Sequence, residues 1–123
     1  MSVLGEHPDE RMKKITLDDL EEYDPPGHFD MTALRVVGKE KDGSEMLWLG
    51  RSHFLPGGGA ELDASPTEKV YHVVDGTVKV ETPDGEETLL SATDTLYLEP
   101  DEERSVVNPT NEPATMLVFG YYD

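Results

Sequence analysis

The sequence predicts an all-β domain, an antiparallel sandwich or barrel. Short apolar runs recur along most of the chain, and segments rich in Gly, Pro and Asp separate them. Several runs alternate apolar and polar side chains, as half-buried strands do, and the chain lacks the long helices that build a parallel sheet. Eight runs are predicted as strands: residues 31–37, 46–55, 69–74, 77–81, 86–90, 94–99, 104–108 and 114–122.

Composition sets the class of protein and excludes several partners. The 123 residues suit one domain with a single core, and the 36% of hydrophobic residues separates the chain from acidic disordered proteins. Asp and Glu number 27 against 10 Lys and Arg, so the formal net charge is −17. A field of this sign repels phosphate backbones and anionic membrane surfaces. We therefore expect neither nucleic acid nor a membrane as a partner.

Two absences bear on the compartment in which the protein works. The chain contains no cysteine, so it has no disulfide framework and no thiolate chemistry. Its N-terminal residues contain no apolar run typical of a signal peptide, and no stretch is long and apolar enough to span a membrane. A cytoplasmic protein is the expectation.

The N-terminal part is predicted to contain an arm and a short helix. Residues 1–14 are polar and aperiodic, which is typical of a flexible arm, and the domain proper is assigned to residues 15–123. Thr16 is a suitable helix N-cap, acidic residues follow it, and Leu17 and Leu20 stand at helical spacing. A helix of one to two turns over residues 16–22 is therefore predicted, ended by the two prolines that follow.

The strands that follow are bounded by recognisable turns. An Asp-Gly pair within residues 39–44 ends the first strand, and Gly50 predicts a bulge or a close approach in the second. The glycine run 57–59 is predicted as a turn, since it lacks the Lys-Ser/Thr and helix that follow a phosphate-binding loop. Residues 83–85, Pro-Asp-Gly, predict a hairpin. The last run, 114–122, is almost wholly apolar and is predicted to be buried on both faces.

The segment 56–76, PGGGAELDASPTEKVYHVVDG, is the one around which the chain is organised. It resembles the first sequence motif of the cupins, in which a Pro-Gly turn precedes a His-x-His pair by seven and nine residues and a Glu stands seven residues before a glycine. Asp63 and Ser65 occupy the two histidine positions here, and Lys69 occupies the glutamate position.

Residues 94–108 resemble the second cupin motif. Asp94 and Asn108 match the family pattern, while Arg104 occupies the position of its histidine ligand. The resemblance covers about residues 47–120 and implies a single antiparallel jelly-roll β-barrel. It also implies that all four metal-ligand positions are substituted in this chain.

In the family these four side chains point into the barrel, so the resemblance implies that Asp63, Ser65, Lys69 and Arg104 lie together in its mouth. Ammonium and guanidinium groups have no free lone pair at neutral pH, so we expect no metal and no other cofactor. The set suits an anion instead. Arg104 would bind a carboxylate or phosphate through its fork, and a partly desolvated Lys69 would serve as acid or base. The alternative is a vestigial pocket in which Asp63 forms an ion pair with one of the cations.

The candidate site residues fall into two groups. Tyr71 shares a strand face with Lys69, so the candidate catalytic residues are Lys69, Tyr71 and Asp63. The candidate ligand-binding residues include two from the strand that leads into the glycine run; the full set is Arg104, Ser65, His53 and Phe54. Trp48 is predicted to be a core or interface residue.

A metal site built from unusual ligands remains a separate hypothesis. It would bring together His53, Glu61, Asp63 and His72, and imidazole with carboxylate suits zinc, iron or manganese. Alternation places His72 on the face opposite Lys69, however, and the histidines make no recognised ligand spacing. His28 follows the Pro-Pro-Gly turn and is predicted to cap the barrel mouth.

Three functions follow from these observations. The first is a metal-independent acid–base isomerase, epimerase or lyase acting on a small carboxylate or carbonyl compound, similar to the metal-free sugar epimerases of the family. The second is a module that binds or senses a small ligand without catalysis, and the third is the metalloenzyme just described. In each case the partner is a small molecule. The resemblance and the apolar last strand also favour a homodimer.

Overall fold

The computed structural model describes residues 12–39 and 43–122, so residues 1–11 of the predicted arm and residues 40–42 of the predicted turn lie outside the described part. Within this part the chain forms one nearly closed antiparallel β-barrel, as predicted. Its nine strands are β1 Glu21–Tyr23, β2 His28–Val37, β3 Leu47–Asp63, β4 Lys69–Asp75, β5 Thr77–Glu81, β6 Glu87–Ser91, β7 Thr95–Leu98, β8 Arg104–Val107 and β9 Ala114–Tyr121.

The predicted N-terminal helix is reduced to a single 3-10 turn, Leu17–Asp19. The Asp19 carboxylate accepts a hydrogen bond from the Thr16 backbone N–H at 2.9 Å, which closes this turn. The Leu17 side chain is 68% exposed, so the turn has no packed apolar face that would extend it. Glu21–Tyr23 pairs instead with β2, and this sheet pairing outweighs the local helical preference.

Strand β3 pairs with three other strands of the barrel. Along one edge it pairs with β2. Along the other it pairs with β9 over residues 47–54 and then with β8 over residues 59–63. The strands hydrogen-bond in the order β6-β5-β8-β3-β9-β4-β7, and β6 also contacts β4, so the sheet curls almost shut.

The glycine run that the sequence predicted as a turn lies inside β3, where the strand changes partner. Gly57 has a φ of +80°, which glycine adopts without strain. A Cβ on Gly58 would stand 2.0 Å from the Asp30 carbonyl oxygen, and one on Gly59 would stand 2.0 Å from that of Val106. Gly57 is therefore glycine because of its backbone conformation, and Gly58 and Gly59 are glycine because neighbouring backbones approach them too closely for a side chain.

The core lies on the inner faces of the strands. Along β4 and β8 alternate residues are buried, as the period of two requires. The prediction that the last strand is buried on both faces is wrong: Ala114 and Met116 are buried, but Phe119 and Tyr121 are exposed. These two side chains lie on the outer face, where no other layer of the described chain covers them.

Asn108 locks the end of β8 to β3. It is 1% exposed, and its amide nitrogen donates to the backbone carbonyls of Phe54, Leu55 and Glu112. Its amide oxygen accepts from Thr110. A buried amide with all its partners fixes the loop that follows β8. No helix in the described residues is long and apolar enough to cross a membrane.

Candidate functional site

A cavity of about 410 Å³ opens at one end of the barrel, a size that suits a small ligand. Five of the seven candidate catalytic and ligand-binding residues line it: Phe54, Asp63, Lys69, Tyr71 and Arg104. Its mouth is bordered by the segment between β1 and β2, which includes Pro25, Pro26 and His28. The Gly27 carbonyl in this segment accepts a hydrogen bond from the Glu61 backbone N–H at 2.8 Å, so the segment is tied to β3.

Arg104 lies at the inner wall of the cavity and is only 7% exposed. Its Nε donates to the Tyr71 hydroxyl oxygen at 3.0 Å, and its Nη1 donates to the Asp63 backbone carbonyl at 2.7 Å. Among the described residues, Nη2 has no hydrogen-bond acceptor and no carboxylate forms an ion pair with the guanidinium. A buried cation without an anionic neighbour is costly, so this nitrogen is suited to a bound anion.

The alternative of a vestigial pocket requires an ion pair between Asp63 and one of the cations, and the described residues form none. Arg104 contacts the backbone of Asp63, and the Asp63 carboxylate accepts instead from the Ala64 N–H at 2.8 Å. Within the described chain neither Lys69 nor Arg104 is ion-paired to Asp63. The two cations therefore keep their charge available to a ligand.

Tyr71 is buried between Arg104 and the core. Burial raises the pKa of its hydroxyl, and the positive charge and hydrogen bond of Arg104 oppose that rise. The phenol is thus protonated near neutral pH. Because its oxygen already accepts from Arg104, its own proton is free to be donated to a ligand in the cavity.

Lys69 is half-buried at the cavity wall, on the same face of β4 as Tyr71. Burial lowers the pKa of its ammonium group, the nearby Arg104 charge lowers it further, and Asp63 opposes both effects. The shift increases the fraction of neutral amine near neutral pH. Such a lysine can accept a proton as well as donate one.

Two carboxylates lie at the rim of the cavity. Glu61 and Asp63 stand two residues apart near the end of β3, and both are exposed while lining the cavity. The register of β3 against β8 shifts between Ala60 and Asp63, and this irregularity lets both carboxylates border the cavity. The site therefore combines hydrogen-bond donors at its wall with acceptors at its mouth.

Two predicted ligand-binding residues do not line this cavity. Ser65 lies in the loop after β3, where its hydroxyl is 3.2 Å from the Thr67 hydroxyl and its carbonyl accepts from the Asp101 N–H. His53 alternates with Ser52 and Phe54, which face inward, so its ring lies on the other face of β3. There its Nδ1 is 3.0 Å from the Thr115 hydroxyl.

The residues present do not fit a divalent metal. Of the four positions that hold ligands in the family, two carry cations and Ser65 lies outside the cavity. The alternative set is not brought together either, because His53 faces Thr115 while the Nδ1 of His72 is 2.8 Å from the Thr95 hydroxyl. In the described part of the chain no three His, Asp or Glu side chains are grouped as metal ligands.

Sequence reasoning missed part of the lining. Trp48 and Ser52 line the cavity, although Trp48 was predicted to belong to the core or an interface. Alternation back from Phe54 along β3 would have placed both on the inner face. Tyr23 also lines the cavity, but it follows a segment predicted as helix, and no sequence signal indicated its place.

Comparison with known proteins agrees with this architecture. The sequence matches the family described as "Cupin domain" over residues 50–120. It is 37% identical over 107 residues to a protein named beta-D-galactosidase from Mycobacterium tuberculosis, an alignment that covers 87% of this chain and 91% of that protein.

Solved structures share the fold at low sequence identity. The polyketide cyclase RemF from Streptomyces resistomycificus superposes with a TM-score of 0.81 at 18% identity, covering 91% of this chain and 80% of that one. A sugar phosphate isomerase of the cupin superfamily from Silicibacter pomeroyi superposes with a TM-score of 0.73 at 21% identity, covering 89% and 76%. The barrel, its cavity and the sequence match over more than half of its length show that this chain belongs to the cupin family.

Proposed function

We propose that the cavity binds a small sugar-type molecule bearing a carboxylate or carbonyl group, and that the protein catalyses proton transfer beside that group without a metal. The observation that carries the proposal is the buried Arg104 guanidinium, which has two protein acceptors and a third nitrogen left for a ligand. The reaction class is isomerisation, epimerisation or elimination.

The first step is recognition of the anionic group or carbonyl oxygen. Arg104 Nη2 and the Tyr71 hydroxyl are two donors that line the cavity, and Lys69 stands beside them as the neutral amine. Donors held in place before the ligand arrives stabilise an oxyanion strongly, because they need no reorganisation as the charge develops. Their burial increases the strength of each contact.

The second step is transfer of a proton from the carbon next to the carbonyl. The neutral amine of Lys69, favoured by its lowered pKa, takes the proton while the C–H electron pair moves toward the carbonyl. The resulting enolate oxygen is held by Arg104 and Tyr71. Delivery of a proton to the opposite face by solvent gives an epimer. Return of the proton to the former carbonyl carbon, with transfer of the neighbouring hydroxyl proton to the enolate oxygen, gives an isomer, and loss of a β-substituent as the carbonyl re-forms gives elimination.

The test is exchange of substrate protons with solvent. Sugar acids and ketoses incubated with the protein in deuterated water should lose the NMR signal of the proton next to the carbonyl. We expect Lys69→Met to abolish this exchange and Lys79→Met, which removes a lysine paired to Glu87 on the barrel surface, to leave it unchanged. Ligand binding without exchange in the wild type would favour the non-catalytic binding module instead.

Glycoside hydrolysis is a second candidate, favoured by the rim carboxylates Glu61 and Asp63 and by the relative named beta-D-galactosidase. Glycosidases use two carboxyl groups that flank the scissile bond. Their general acid is normally shielded from water, which keeps it protonated, whereas both carboxylates here are exposed. Because both carboxylates are exposed, glycoside hydrolysis is less well supported than proton transfer.

Release of nitrophenol from a nitrophenyl β-D-galactoside separates the two candidates. Hydrolysis predicts turnover that falls in both Glu61→Gln and Asp63→Asn. Proton transfer predicts no release of nitrophenol by the wild type.

A further inference from the structure

Trp48, Gly120 and Lys69 form a continuous row across three strands. Gly120 on β9 pairs directly with Trp48 on β3 and with Lys69 on β4. Because the middle residue has no side chain, the indole ring of Trp48 lies over it. A Cβ at position 120 would stand 2.4 Å from Cζ2 and 2.5 Å from Cε2 of Trp48.

The gap at Gly120 lets the Trp48 ring reach the ammonium of Lys69. Lys69 Nζ lies 5.4 Å from the centroid of that ring. On the β2 side, the Arg35 guanidinium carbon lies 5.2 Å from the Trp48 ring and 4.5 Å from the Tyr23 ring. Tyr23, Arg35, Trp48 and Lys69 therefore form one row in which aromatic rings and cations alternate.

We propose that Trp48, seated on Gly120, is a positioning residue for Lys69: its ring holds the ammonium group at the cavity wall and favours the protonated form. The ring face carries negative charge density, so it attracts a cation at this distance. For activity this inference rests on the proposed acid–base role of Lys69. The position and protonation of that lysine can be measured without turnover.

Several groups act on Lys69 in opposite directions. Burial and the charge of Arg104 favour the neutral amine, while Asp63 and the Trp48 ring favour the ammonium. At equal burial of Lys69, loss of the attraction from the ring would move the balance further toward the neutral form. Among the described residues, the charged groups that act on Lys69 are Arg104 on β8 and Asp63 on β3. Tyr71 lies on the same face of β4, Arg35 on β2 lies behind the indole, and Tyr23, His28 and Glu61 line the same cavity.

The decisive pair of variants is Trp48→Leu and Trp48→Phe. Leucine removes the ring while keeping an apolar side chain, and phenylalanine keeps a ring face. NMR titration of the Lys69 side-chain carbons, assigned by their loss in Lys69→Met, should show that Trp48→Leu lowers the Lys69 pKa by about 0.5 to 1. Trp48→Phe should restore most of that difference.

The fluorescence of Trp48 gives an independent measurement, because it is the only tryptophan in the chain. Its emission should follow the titration of Lys69 in the wild type and in Lys79→Met, but not in Lys69→Met. Gly120→Ala must displace the ring and should weaken this coupling. Gly50→Ala is the matched control: its Cβ would stand 3.4 Å from the Tyr23 hydroxyl oxygen and 3.9 Å from Cζ3 of Trp48, which is an ordinary contact that leaves the ring in place.

The inference is overturned if Trp48→Leu leaves the pKa of Lys69 unchanged, or if the wild-type emission shows no transition that depends on Lys69. Should Gly120→Ala fail to fold, the two Trp48 variants still decide the question. Absence of proton exchange in the wild type would refute the proposed function alone, since neither readout here requires a substrate.

Discussion

Replacing Arg104 by methionine tests the anion site at its centre. Methionine fills much of the same space but removes the donor nitrogen that faces the cavity and the hydrogen bonds to Tyr71 and Asp63. A hydrogen bond to a charged group typically contributes about 1.5–3 kcal/mol. Loss of one such contact to a ligand carboxylate should therefore weaken its binding by roughly 10- to 150-fold. Folding should be retained, because the desolvation cost of a buried cation is removed together with its contacts.

Titration calorimetry with two matched probes isolates the carboxylate. D-Galacturonate and D-galactose share a sugar ring and differ in the acid group, so the ratio of their dissociation constants measures its recognition. The wild type should prefer the acid by roughly tenfold or more, and Arg104→Met should bring the ratio close to one. Arg51→Met is the control: it changes the net charge equally, but Arg51 bonds to His53 on the other face of β3.

Two results would refute this reasoning. One is an Arg104→Met variant that keeps the wild-type preference for the acid. The other is an equal loss of affinity for both sugars, which would mean that Arg104 maintains the shape of the cavity and does not recognise charge.

Three further predictions concern stability and assembly. The folded protein lowers the pKa of Lys69 below its ordinary 10.5. Between the folded and the unfolded pKa the unfolded chain therefore binds more protons, and the contribution of Lys69 to stability rises with pH across that window. Denaturant melts should therefore show Lys69→Met to be more stable than the wild type at neutral pH, with a difference that shrinks toward about pH 10.5; a difference independent of pH would contradict this. Asn108→Ala should lower the free energy of unfolding by roughly 2–4 kcal/mol, whereas Asn111→Ala, at an exposed position, should change it little. We also propose that the exposed apolar face around Phe119 and Tyr121 mediates a homodimer. Sedimentation at micromolar concentration should show a dimer, and Phe119→Asp should dissociate it. A wild-type monomer would refute this proposal.

Much of the barrel could be predicted because its signals are local. Thr77–Glu81 alternates apolar and polar residues between two turn sequences, and the structure has the strand at those bounds. The approach of Asp63, Lys69 and Arg104 to one cavity was implied by the family resemblance. Strand propensities and the alternation of side chains could not have predicted this approach, because the three residues come from three different strands.

The parts that could not be predicted depend on contacts between distant residues. Glu21–Tyr23 has a helical pattern but forms a strand, since β2 offers it a free edge. Ser65 has the correct motif spacing, yet the loop that follows β3 carries it away from the cavity. The contact of the Trp48 ring with Gly120 could not be predicted either, because Gly120 lies 72 positions further along the sequence and is placed beside Trp48 only by the pairing of the strands.

The long strand β3 also has a consequence for synthesis of the protein. Its first half pairs with β9 and its second half pairs with β8, and both partners lie far along the sequence from it. During translation this edge of β3 therefore stays partly open until residues 114–121 have been made. Pairings this distant in sequence form slowly, and the exposed edge invites association between nascent chains. The net charge of −17 opposes that association, so the acidic surface protects the chain most during the interval before the barrel closes.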